Sequence, residues 1–149
     1  MNQVNNIDPN SLTLSLSKTI HAPVAEVFNA WLDAKTLAKF MIPMQGMCEP
    51  QVSCAPHQGG QFEILMKADD NVMPHTGEYV IIEPYSKIVF TWQSNHSIDG
   101  SQVTLLFEQA ANSTKLTLQQ VKFFDQSAKE NHTKGWQSIL NHLDDVLRS

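Results

Sequence analysis

Residues 127–148 read SAKENHTKGWQSILNHLDDVLR. Trp136, Ile139, Leu140, Leu143, Val146 and Leu147 recur at the i, i+3, i+4, i+7 spacing of one helical face. Lys134, Gln137, Ser138, Asn141, Asp144, Asp145 and Arg148 fall largely on the other side. Ser127, with Glu130 three residues on, has the form of a capping box, and no proline interrupts the stretch. A helix of about 20 residues is roughly 30 Å long. Strands of about 8 residues run roughly 26 Å, so one such helix can lie along a whole sheet. Its apolar face has to be buried against something, and the preceding sequence predicts a sheet for it.

Residues 1–10 are polar and read as a loose arm ahead of one domain over 11–149. Leu12, Leu14, Leu16 and Ile20 then alternate with polar residues as in a half-buried strand. Pro23 suits the first turn of a helix carrying Val24, Val27, Phe28 and Trp31 inward. Asp33 can cap a second short helix with Leu37, Phe40 and Met41 inside. Residues 42–47 form an apolar loop. From there the period is 2, and strands are expected over 48–54, 61–67, 77–83, 86–93, 102–108 and 114–121. Turn residues separate them, among them Gly59-Gly60, Asp69-Asp70-Asn71, Pro84 and Gly100. Short links imply an antiparallel meander. The expected fold class is α+β: a curved antiparallel sheet of six or seven strands, two short helices after strand 1, and a long C-terminal helix across the concave face.

The chain has 149 residues, 42% hydrophobic and 17% charged, as befits a globular domain with its own core. A net charge of −5 with scattered Lys and Arg argues against nucleic acid as a partner. There is no basic cluster for an anionic membrane and no apolar run of about 18 residues to span one. The start MNQVNNIDP lacks the charged and apolar regions of a signal peptide. Cys48 and Cys54 would stand about 20 Å apart in one extended strand, too far to bridge. A cytoplasmic location is expected.

Several pieces in this order resemble one family. They are His21-Ala22-Pro23-Val24-Ala25-Glu26-Val27-Phe28, Lys39-Phe40-Met41-Ile42-Pro43, Gly59-Gly60, Gly77-Glu78-Tyr79-Val80 leading to Glu83-Pro84, and Ile88-Val89-Phe90-Thr91-Trp92. Val103-Thr104-Leu105, Thr114-Lys115-Leu116-Thr117-Leu118 and His132-Thr133-Lys134-Gly135-Trp136 complete the set. From about Leu12 to Leu147 the chain resembles the START/birch-pollen-allergen (SRPBCC, helix-grip) superfamily, in its branch related to the activator of the heat-shock-protein-90 ATPase. It departs from that branch at Phe40-Met41, where two Trp are common, and at His57-Gln58, where a basic-Pro turn is common. The eukaryotic activator also has a separate N-terminal domain, which ten polar residues do not supply. The resemblance implies a cavity between sheet and long helix that holds an apolar small molecule. It also brings polyketide cyclase-like enzymes and chaperone adaptors into view.

The candidate ligand-binding residues are Phe40, Met41, Phe62, Tyr79, Trp92, His132, Trp136 and Leu140. Pockets are mostly apolar with a few placed polar groups, and His132 is the candidate polar anchor. The six histidines show no His-x-x-x-His or Cys-x-x-Cys ligand pattern, so no metal and no cofactor are expected. An enzyme would need Glu63, Glu78, His132 or Tyr79 to converge in one pocket. Cys48 lacks a visible base, and no nucleophile elbow, phosphate loop or dinucleotide fingerprint is present. The leading expectation is a binding protein for an apolar or amphipathic small molecule, as monomer or homodimer. The alternatives are a cyclase- or hydrolase-like enzyme and a chaperone-interaction module.

Overall fold

The computed structural model describes residues 12–44 and 47–148; the expected arm over 1–10 lies outside them. The elements run β1 (Thr13–Ile20), α1 (Val24–Ala30), α2 (Ala34–Phe40), β2 (Cys48–Cys54), β3 (Gln61–Ala68), β4 (Asn71–Glu83), β5 (Lys87–Thr91), β6 (Gln102–Gln109), β7 (Thr114–Val121) and α3 (Gln126–Arg148). The strands form one antiparallel sheet in the order β1-β7-β6-β5-β4-β3-β2. The long α3 lies across its concave face, the helix-grip arrangement. Period-2 alternation chose that face: Ile88 and Phe90, Val103, Leu105 and Phe107, Leu116 and Leu118 are all buried. They pack in one core with Trp136, Ile139, Leu140 and Leu143 of α3.

Two local expectations need correction. The cap of α3 is Asp125, whose Oδ1 accepts the Ala128 N–H at 2.8 Å, while Ser127 is exposed. A carboxylate at the helix start takes an orphan N–H and meets the positive end of the helix dipole, so it displaces the serine two residues on. β4 is also longer than residues 77–83, reaching back to Asn71 through Pro74. Thr76 exchanges both backbone hydrogen bonds with Gln93, so even-numbered peptide groups here face away from β3. The Pro74 nitrogen points past the end of β5, where no ladder needs its N–H. The turn at Asp69-Asp70 therefore joins a tight hairpin, with Ala68 opposite Asn71.

The short helices are fixed at their starts. Asp33 Oδ2 accepts the Thr36 N–H at 3.1 Å and its hydroxyl at 2.6 Å. Pro23 has no side-chain acceptor to cap α1, and Gln109 of β6 takes the Val24 N–H instead, at 2.9 Å. At the far end of the molecule, buried Asp144 ties α3 to the corner after β1. Its Oδ1 accepts the His21 backbone N–H at 2.8 Å, and its Oδ2 accepts from Arg148 at 2.9 Å. Burial pushes this carboxyl up, but the His21 backbone and ring together with Arg148 outweigh it and hold the carboxyl below its usual value of 3.8. That contribution is complete above the unfolded value and is lost as pH falls through the lowered folded value. Asp144→Asn is expected to lose about 1–3 kcal/mol at pH 7 in urea unfolding. The gap from the native protein should narrow as the pH is taken below about 4.

Candidate ligand cavity

α3 does not close on the sheet along its whole length. Beneath its N-terminal half lies a cavity of about 200 Å³. Met66 of β3, Met73 and His75 of β4, and Trp92 just past β5 form the floor. Asn131, His132, Gly135, Trp136 and Ile139 of α3 form the roof, at the spacing of one helical face. Pro43, Met44 and Met47, together with His96 from the β5–β6 connection, complete the wall. Gly135 adds no side chain to fill it: a Cβ there would first meet Pro43 Cβ, at 3.4 Å.

The roof is anchored by a buried polar chain. Trp136 Nε1–H donates to Gln120 Oε1 at 2.7 Å, Gln120 Nε2 donates to Ser101 Oγ at 2.9 Å, and Ser101 Oγ–H donates to the Val121 carbonyl at 2.9 Å. Gln120 and Ser101 are both buried, so each link replaces hydration lost on folding. The Trp136 ring then sits 4.9 Å from that of Trp92, at an interplanar angle of 55°. Trp92 in turn neighbours His75, at 5.1 Å. The indole N–H groups of Trp31 and Trp92 are sealed without a hydrogen-bond partner among the described residues.

Two histidines face the cavity with their tautomers set by backbone. His75 Nδ1 lies 3.0 Å from the Met73 carbonyl, and His132 Nδ1 lies 2.8 Å from that of Ala128. A carbonyl only accepts, so both Nδ1 atoms carry the proton and each Nε2 is left as an acceptor. Burial lowers His75 to about 4, overriding the Met73 carbonyl, and burial likewise lowers His132. Burial thus disfavours the charged form of both rings. No Lys, Arg, Asp or Glu lines the cavity among the described residues. Such a space suits apolar, uncharged matter with one or two hydrogen-bonding groups.

Of the residues expected from sequence, Trp92, His132 and Trp136 line this cavity. Met41, Phe62 and Tyr79 instead surround a separate void of about 10 Å³, too small for more than a water. Bulky rings fill that region: Phe62 packs at 5.4 Å from both Tyr79 and Phe90. Tyr79 donates its hydroxyl proton to the Trp31 carbonyl at 3.1 Å. Phe40 is fully buried, edge-on to Trp31 at 5.0 Å, and Leu140 is buried in the core under α3. Glu63 and Glu78 are exposed and border a polar groove on the outer face of the sheet. They do not meet His132 or Tyr79, so these four residues do not converge in one pocket. Among the described residues no group of three or more His, Cys, Asp or Glu is placed to hold a metal ion. None of their helices is long and apolar enough to cross a membrane.

Sequence reasoning passed over Met66, Met73 and His75. Met66 continues the inward parity of Phe62 and Ile64, which was a usable signal. Met73 and His75 fell outside the strand expected over 77–83, so their inward positions were not read. Met44, Met47, Met66 and Met73 come together on the cavity only in the fold, where their flexible thioethers suit an adaptable site.

The family described as Activator of Hsp90 ATPase homolog 1-like protein matches residues 21–148, and the chain belongs to it. This agrees with the START-like motifs and the helix-grip sheet. No curated protein matches the chain. Among solved structures, a protein from Chromobacterium violaceum is 24% identical, with 95% of this chain and 99% of that one covered and a TM-score of 0.76. A protein from Rhizobium leguminosarum is 21% identical, with 92% and 94% covered and a TM-score of 0.77. An AHSA1-like protein from Aeromonas hydrophila is 19% identical, with 90% of each chain covered and a TM-score of 0.77. At these identities the likeness is one of fold.

His75 makes a pH prediction. Between its unfolded value of 6.5 and its folded value of about 4, the unfolded chain binds a proton that the folded chain refuses. The stability tied to the neutral ring is therefore complete above 6.5 and lost as pH falls toward 4. In urea unfolding at stepped pH, the native protein should lose on the order of 2–3 kcal/mol more than His75→Phe over that window. Separately, Gln120→Leu strands the Trp136 N–H in the core and is expected to cost about 1–3 kcal/mol in the same assay.

Proposed function

We propose that this chain binds a small, predominantly apolar molecule in the cavity between the sheet and α3. The observation that carries the reading is the cavity itself. It measures about 200 Å³ and is walled by methionines, tryptophans, Pro43 and Ile139, with three histidines and Asn131 as its polar groups. Pockets that hold small molecules have this character. Apolar area removed from water drives such binding at about 25 cal/mol per Å². The thioethers let the wall adapt to the occupant. Membership of a family with a START-like fold supports the same reading. The chaperone-activating reading has only the family description behind it, whereas the cavity belongs to this chain's own side chains.

Native mass spectrometry of gently purified protein, with thermal unfolding against a panel of apolar compounds, tests the reading. A binding compound at about 100 times its Kd should stabilise the protein by about 2.7 kcal/mol. Gly135→Leu, which projects a side chain beneath Pro43, should keep the far-UV spectrum and lose the ligand-dependent shift. A native protein that binds no member of the panel would refute the proposal.

A further inference from the structure

We infer that the ligand is a neutral, single-ring aromatic molecule bearing one hydrogen-bond donor, of the phenol class, and that His75 Nε2 receives that donor. The inference rests on the binding role proposed above and narrows it.

The cavity is open to solvent on one side, so its volume bounds the part of an occupant that the protein encloses. A cavity of about 150 Å³ takes benzene, and pockets for drug-sized molecules begin at about 300 Å³. The 200 Å³ here suits one ring with a short substituent. Its aromatic lining favours a ring. Trp92 and Trp136 set two ring surfaces on the cavity, tilted by 55°, against which a flat ligand finds offset or edge contacts.

The acceptor decides the polar group. His75 is buried, and its Nδ1–H is committed to the Met73 carbonyl. Its Nε2 has no hydrogen-bond partner among the described residues, yet it is not one of the polar atoms sealed by protein. The ring lines the cavity, and this nitrogen is the acceptor we assign to it. His132 Nε2 differs, because Ser97 Oγ stands 3.4 Å from it. A ligand without a donor would strip water from the His75 lone pair and return nothing, a loss of about tenfold in affinity. A ligand with an O–H or N–H restores the lost hydrogen bond.

Charge sets the last limit. A carboxylate entering this space would shed its hydration and meet no cation among the described lining residues. Burial disfavours the charged forms of His75 and His132 that would supply one. The exposed Arg148 is engaged with Asp144 at the other end of α3.

Isothermal titration of the full chain at pH 7.5 with para-ethylphenol, ethylbenzene and para-ethylbenzoate tests this. Para-ethylphenol should bind about tenfold tighter than ethylbenzene, and para-ethylbenzoate should bind weakest. The nitrogen-15 resonance of His75 Nε2 should move with the phenol and stay put with the hydrocarbon. His75→Leu should erase the preference for the phenol while still binding ethylbenzene. His75→Gln, which offers an amide oxygen, should restore part of it. The native-protein comparison stands even if a variant fails to fold. Equal affinity for para-ethylphenol and ethylbenzene, or tightest binding of the benzoate, would overturn this inference and leave apolar binding intact. No binding of any of them, nor of the wider apolar panel, would overturn both.

Discussion

Trp136 is a large polar-tipped side chain buried in the middle of a helix that must lie flat on a sheet. It fits because Gln120, on the inward parity of β7, accepts its indole proton and passes the demand on to Ser101 and the Val121 carbonyl. Gln120 stands where the alternation of Leu116 and Leu118 calls for another apolar residue. A polar group in that position is tolerated only when fully satisfied, and here both of its amide atoms are engaged. The chain of bonds fixes the height and rotation of α3 over the sheet. Apolar contact alone, being non-directional, would not.

With α3 pinned at Trp136 and again at Asp144, its two halves meet different surroundings. The C-terminal half carries Leu140 and Leu143 into the common core, and Asp144 locks its last turns to the corner after β1. Toward the middle of the sheet, interlocked rings of Trp31, Phe40, Phe62, Tyr79 and Phe90 leave almost no free volume. Under the N-terminal half the facing residues are methionines, and the helix presents a glycine. Thioether chains and a missing side chain do not fill a hollow as rings do. The cavity is thus a consequence of composition along one helical face, with Trp92 standing between it and the packed core.

The electrostatics divide along the same lines. Glu63 and Glu78 take the outer face of the sheet. Two of the three imidazoles on the cavity, His75 and His132, have their Nδ1 protons committed to backbone carbonyls, and burial disfavours their charged forms. Among the described residues, what lines this space is apolar side chains and imidazoles, with Asn131 as a further polar group.

The order of elements, the antiparallel meander, the helix-grip class and the buried face of nearly every strand were legible in the sequence, because periods of 2 and 3.6 report directly which side of an element leaves water. Asp33 as a cap was legible for the same local reason. The position of the cavity was not. Aromatic residues at inward positions are alike in sequence, whether they interlock, as Phe62 and Tyr79 do, or border free space, as Trp92 and Trp136 do. The first half of β4 lay outside the expected strand, and Pro74 is tolerated in it because its nitrogen points past the end of β5. Local periodicity, set by each residue and its near neighbours, therefore determined the fold. Which part of the interior stays open depended on long-range pairs such as Trp136 with Gln120 and His21 with Asp144, and their geometry exists only once distant segments are packed together.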